Sequence, residues 1–181
     1  MNVLVEAAAQ VFSREGLAAT TNRIAERAGV SIGTLYQYFP DKYALLRAVA
    51  RRHVTEGEQR LTALFGRLRR ETPPFEETMA AVVAELVDLH RDHPVLHALL
   101  HRLTTTGADL EELRAFEDRL GAEVAFHLKR CGRGGDDPDG LAATIVAAVD
   151  AQLHRVLTRT GYDGAVEKLC ELINRLAPAQ P

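Results

Sequence analysis

The segment Thr20–Leu46, TTNRIAERAGVSIGTLYQYFPDKYALL, decides the fold. It predicts two short helices joined by a tight turn, then the start of a long third. In the first, Ile24, Ala25 and Ala28 recur at helical spacing and form one apolar face. Thr20 and Thr21 stand where a helix start wants a hydroxyl to accept from free backbone N–H groups. No Glu or Gln follows three residues later, so the cap is plain. Gly29 falls just past the periodic run, where a left-handed residue ends a helix. Ser31 then caps a second helix over Ile32–Phe39. Its inner side is Leu35 and Phe39, and its outer side is Thr34, Tyr36, Gln37 and Tyr38. Pro40 ends it, because proline disfavours helical geometry in the residue before it. Asp41 restarts the chain as an N-cap.

A helix, a glycine-containing turn and a second helix with a polar outer face make a helix-turn-helix unit. In that motif the second helix lies in the DNA major groove and the first crosses the backbone. Hydroxyl, amide and phenol groups can bond phosphate oxygens and base edges. Small residues at Gly33 and Thr34 allow close approach. The plainer alternative is a helical hairpin with a solvated outer face. Two exposed tyrosines with a Thr and a Gln on one short helix favour the DNA reading.

Four runs resemble the DNA-binding head of the tetracycline-repressor (TetR) family: FSREGLAATT at Phe12–Thr21, RIAERAGVS at Arg23–Ser31, GTLYQYF at Gly33–Phe39 and DKYALL at Asp41–Leu46. The resemblance implies that Thr21 holds a phosphate and that Asn22 reaches the groove edge. It implies that Thr34, Tyr36 and Tyr38 contact phosphates or bases and that Lys42 holds a phosphate. Ser31, Ile32 and Gly33 fall where members differ most and read sequence. An Ile there can meet a thymine methyl but cannot hydrogen-bond a base. Gln37 completes the candidate DNA-binding set. Members usually carry a polar, basic stretch before the first helix; this sequence begins almost at that helix, which leaves minor-groove contacts open.

The chain has 181 residues, 46% hydrophobic and 26% charged, which is ordinary globular composition. Its net charge of −3 looks wrong for a DNA binder until it is divided. Residues 1–52 hold seven basic against four acidic side chains, and the rest hold fifteen against twenty-one. A basic head on an acidic body gives an oriented electrostatic footprint. The excess is modest, so weak non-specific affinity and reliance on dimerisation are expected. Cys131 and Cys170 are too few to form a disulfide framework. With no signal peptide and no run of 18 apolar residues, a cytoplasmic location without membrane insertion is expected.

Outside the decisive segment the periodicity is helical throughout, giving an all-α expectation. Val3–Arg14 is amphipathic and ends at Gly16. A long helix runs from Asp41 to about Arg70, with Gly57 as a place to bend. Further helices are predicted over Phe75 to about Asp92, Pro94 to about Thr105, Leu110 to about Lys129, Leu141–Thr160, and after an Asp163 cap to Leu176. Cys131–Pro138 reads as a flexible loop. The last two helices are apolar on more than one side, whereas a surface helix needs one stripe. Their extra face predicts a homodimer through residues 141–160 and 162–176, in agreement with the family resemblance.

The expected division is a helix-turn-helix head at 1–47 and a helical effector-binding and dimerisation body at 48–181. The resemblance implies a ligand-responsive transcriptional regulator, most often a repressor, binding double-stranded palindromic DNA as a dimer and released by a small apolar molecule. Candidate pocket walls are Met79, Val83, Leu86, Leu99, Leu103, Phe116, Leu120 and Gln152. His90, His93, His97 and His101 share some helical spacing, and a metal use is a rival reading. Pro94 interrupts them, and no partner cysteine or carboxylate pattern accompanies them, so no metal and no cofactor are expected. A helical scaffold for protein partners is the other rival. No phosphate loop, nucleophile elbow or recognisable carboxylate pair is present, so no enzyme is expected.

Overall fold

The computed structural model describes residues 2–91, 96–97 and 108–179. Every regular element among them is helical. The order is α1 (Asn2–Glu15), a short 3-10 turn (Gly16–Ala18), α2 (Thr21–Ala28), α3 (Ile32–Tyr38), α4 (Lys42–Glu71), α5 (Phe75–Arg91), α6 (Ala108–Arg130), α7 (Pro138–Ala151) and α8 (Ala165–Leu176). Helix α7 continues through a π-helical segment, Gln152–Leu157, into a last turn at Thr158–Thr160. The expected Pro94–Thr105 helix lies largely outside the described residues, as do Leu99 and Leu103.

The chain forms two compact units. One is Met1–Glu56 with His93–Leu110; the other is Gly57–Asp92 with Glu111–Pro181. The division falls inside α4, which runs unbroken through Gly57.

The first unit packs Leu4, Ala8 and Phe12 of α1 against Ile24 and Ala25 of α2, Leu35 of α3 and Leu45, Leu46 and Val49 of α4. Its turns follow local chemistry. The Thr20 hydroxyl accepts from the Arg23 N–H at 3.3 Å, and the Ser31 hydroxyl accepts from the Thr34 N–H at 3.0 Å. Gly29 ends α2 at φ 69°, a left-handed conformation that favours glycine. Asp41 Oδ1 accepts from the Ala44 N–H at 2.7 Å and starts α4.

The second unit is built on Leu61, Phe65 and Leu68 of α4, Phe75, Met79, Val83 and Val87 of α5, Val124 and Leu128 of α6, Ile145 and Val149 of α7 and Leu169 and Ile173 of α8. Two local expectations are corrected there. Asp163 does not cap α8. Gly164, left-handed at φ 65°, holds the cap position, and the Asp163 carbonyl accepts from Lys168 Nζ. The 131–138 loop is pinned by a buried arginine: Arg133 Nη1 donates to the Ala177 carbonyl at 2.6 Å, Nη2 bonds Glu76, and the guanidinium lies 4.4 Å from the Phe75 ring centre.

Candidate functional site

At 100° per residue, burying Leu35 and Phe39 points the opposite side of α3 outward. Gly33 and Gln37, four apart, occupy that side. Leu35 is fully buried and Phe39 nearly so, while Ile32, Tyr36 and Tyr38 are 38%, 50% and 57% exposed. Ser31, Gly33 and Gln37 are exposed and Thr34 is half-buried. A rigid apolar floor therefore carries a short helix with an uncovered polar and aromatic face. A methyl added at Gly33 would meet only the Ser31 hydroxyl, at 3.7 Å. The fold does not demand glycine here, so its smallness faces outward.

The flanking candidates are prepositioned. Thr21 Oγ1 and Tyr36 Oη share a hydrogen bond of 3.1 Å, which ties the start of α2 to α3. Ser31 and Thr34 share their hydroxyls at 2.9 Å. Ser31 is thus engaged in capping, and Ile32 and Gly33 beside it present their surfaces without such a bond. Lys42 Nζ donates to the Leu17 carbonyl at 2.8 Å. An ammonium has three donors, so two remain for a phosphate. Asn22 is exposed at the first turn of α2. Tyr43, absent from the sequence-derived set, is 47% exposed with its ring centre 5.7 Å from Lys42 Nζ. Its signal was an aromatic directly after the cap and lysine of a third helix.

The candidate effector residues converge only in part. Met79, Val83, Leu86 and Leu120 line one apolar cavity in the second unit with Val82, Val124, Ile145, Val146, Val149 and Ile173. Its volume is about 20 Å³, close to the room one water needs. Phe116 packs against the same core without lining the cavity, and Gln152 opens the π-helical segment after α7.

Two members of the sequence-derived histidine set, His90 and His97, fall among the described residues. His97 is buried edge-to-face against His53, ring centres 4.2 Å apart, within the first unit. His93 and His101 lie outside the described residues. His90 meets His154, Nε2 to Nε2 at 3.1 Å, within the second unit. His127 is fully buried, and its Nε2 has no hydrogen-bond partner among the described residues. Burial holds its imidazole below the usual histidine range, with the positive charges of Arg130 and Arg69 acting the same way.

Residues 4–49 match the family model described as bacterial regulatory proteins, tetR family, and residues 74–176 match the tetracyclin repressor-like C-terminal domain. The chain belongs to the TetR family of bacterial regulatory proteins. It is a helix-turn-helix DNA-binding transcription regulator by family. Among curated relatives, the nucleoid occlusion factor SlmA of Actinobacillus pleuropneumoniae is 29% identical over 145 residues, 76% of this chain and 70% of that protein. SlmA of Haemophilus ducreyi is 28% identical over 146 residues, with the same shares of each chain. Among solved structures, FadR from Bacillus subtilis in complex with stearoyl-CoA matches with a TM-score of 0.73 at 19% identity, covering 95% of this chain and 96% of that one. A transcriptional regulator from Rhodococcus sp. RHA1 matches with a TM-score of 0.73 at 21% identity, covering 99% and 98%. At these identities the solved structures speak to the fold.

Proposed function

We propose that this TetR-family chain is a repressor that binds a palindromic operator as a homodimer and leaves it when a small, mainly apolar effector enters the body. The observation that carries the DNA half is the uncovered face of α3 over its buried Leu35–Phe39 floor, flanked by Tyr36, Tyr38 and Lys42. Gln37, opposite the floor, is the best-placed base reader, since an amide can pair bidentately with adenine. Ile32 is placed for a thymine methyl. Thr21, Tyr36, Tyr38 and Lys42 take phosphates, with Asn22, Ser31, Gly33 and Thr34 at the groove edge.

Dimerisation is supported by the Pro138–Thr160 helix. It is long and apolar enough to cross a membrane by length and composition alone, yet only 28% of its most apolar window is buried within the single chain. Ala143 and Ala147 are exposed along it and Val156 is 40% exposed. Small side chains let a second copy approach closely, and helix α8 completes the pairing surface. In this reading the apolar face meets its own copy rather than lipid, as befits a cytoplasmic regulator. Two heads on half-sites about 34–36 Å apart then follow from the two-fold axis.

The effector half rests on the aliphatic lining of the α5–α6–α7 cavity. FadR of the same fold was solved with stearoyl-CoA, a ligand with a long apolar chain, and such a chain suits walls made of Met79, Val83, Leu86 and Leu120. With a cavity of about 20 Å³, the effector must part these helices. A hundredfold loss of operator affinity needs about 2.7 kcal/mol of coupling. The test is selection of genomic fragments by purified protein at physiological salt, followed by acyl-chain ligands added to the recovered complex. A palindromic site released by such ligands is expected. Recovery of random fragments, or of none, would overturn the operator reading; release only by cationic or sugar ligands would overturn the effector class.

A further inference from the structure

Inside the second unit, α5 and the π-helical segment after α7 bring together two imidazoles that lie far apart in sequence. His90 is buried and His154 half-buried. His90 Nδ1 lies 2.6 Å from the Leu86 carbonyl, and His154 Nδ1 lies 2.8 Å from Asp150 Oδ1. Both of these oxygens can only accept, so both Nδ1 atoms donate. In neutral rings each Nε2 then carries a lone pair. Those two nitrogens face one another at 3.1 Å. At that distance the two nitrogens can share one cation between them, a proton or a metal ion.

The spacing of the rings bears on which cation they can share. A straight N–H···N bond at this distance would set the ring centres about 5.4 Å apart, since such bonds prefer to be near linear. The observed separation is 4.7 Å, with the planes 77° apart. The contact is therefore bent from a straight line through the ring axes, as it is when two imidazoles share one ion. Two histidine ligands of one tetrahedral zinc, each at about 2.0–2.1 Å, stand about 3.3 Å apart. The outer partners also match that use. Metal-bound histidines donate their other N–H to a carboxylate or a backbone carbonyl, as His154 and His90 do to Asp150 and Leu86. A π-helical segment, frequent at functional sites, presents His154.

We propose that His90 and His154 supply two nitrogen ligands to a divalent transition-metal ion of the zinc class, with Asp150 and the Leu86 carbonyl orienting the rings. The surroundings favour a cation. Glu117 of α6 is pushed above the usual carboxylate range by burial, and then by the negative charges of Asp150 and Asp118. A dipositive ion offsets that negative field. Imidazole ligands and a carboxylate-rich rim suit zinc, cobalt and nickel rather than magnesium or calcium.

The experiment uses the full chain without a histidine tag, stripped with chelator and titrated with zinc and with cobalt at neutral pH in the absence of DNA. Calorimetry gives stoichiometry and affinity, and the visible spectrum of cobalt reports its ligand set. One ion per chain is expected, with zinc raising the thermal midpoint. His154→Gln should weaken binding at least about a hundredfold, and Asp150→Asn about 10–100-fold with the cobalt bands shifted. Circular dichroism confirms that each variant is folded. No ion bound by the wild-type chain would overturn the proposal in favour of a proton held between the rings, whatever happens to the variants. Equal zinc affinity in wild type and a folded His154→Gln would overturn it as well. Neither result bears on operator binding.

Discussion

The buried imidazole of His127 gives the chain a calculable sensitivity to acid. His127 accepts from Arg130 Nε through Nδ1 at 3.3 Å, and its other nitrogen is buried without a partner. Protonating it in place would add a charge beside Arg130 and Arg69, so the folded state resists the proton. The unfolded chain takes that proton at the ordinary histidine value of 6.5. The unfolded state thus binds more protons as pH falls through that value, and stability falls with it. Between pH 7.5 and 5.5 the loss attributable to this residue has a ceiling of about 1.4 kcal/mol, the limit for a native ring that stays neutral throughout. His127→Leu removes both the titration and the orphaned nitrogen. Arg130 keeps its Nη bonds to the Thr72 and Pro73 carbonyls and loses its Nε bond to the imidazole, a cost present at both pH values that cancels in the difference. Urea unfolding of both proteins at the two pH values, at one fixed protein concentration, reads the difference as Cm times m. The wild type should lose more than the variant on acidification, by no more than about 1.4 kcal/mol. The remaining histidines contribute equally to both and cancel. Equal losses in the two proteins would refute the argument.

Tyr38→Ala and Lys42→Ala should each weaken operator binding by about 1–2 kcal/mol while leaving the oligomeric state unchanged, as fluorescence anisotropy and sedimentation would show; wild-type affinity in both would refute the docking face. Lys42→Ala should also flatten the salt dependence of binding by about one phosphate contact. Gly33→Ala should leave the head folded, and stabilise α3 by up to about 1 kcal/mol, yet lower operator affinity if the α3 backbone approaches DNA closely. Arg133→Ala should destabilise the body by about 2 kcal/mol through loss of its charge-assisted bond to Ala177, measured by thermal or urea unfolding.

The head was legible because its signals are local. Thr20, Gly29, Ser31 and Asp41 act on backbone groups within three or four residues, and Leu35 and Phe39 sit one turn apart. The body gave up its helices by periodicity but not its details. Nothing near Arg133 announces that its guanidinium reaches Ala177 and Glu76; the glycines around it suggested only looseness. Gly164 displaced Asp163 as the start of α8 because a left-handed backbone turned the chain before the carboxylate could cap it. His154 was overlooked because its partner is 64 residues away and because spacing within one helix directed attention to His93, His97 and His101. Likewise, aliphatic residues at core spacing in α5 and α6 marked a cavity wall and ordinary packing alike.

The near absence of free volume among Met79, Val83, Leu86 and Leu120 bears on timing as well as affinity. A molecule that enters there must wait for α5, α6 and α7 to separate, so its capture rate levels off at the opening rate however much of it is supplied. The affinity measured is the intrinsic one divided by the fraction of chains open. A substitution such as Val83→Ala, which enlarges the space in advance, shortens that wait at the expense of packing. The regulator it produces would be quicker to respond and easier to melt.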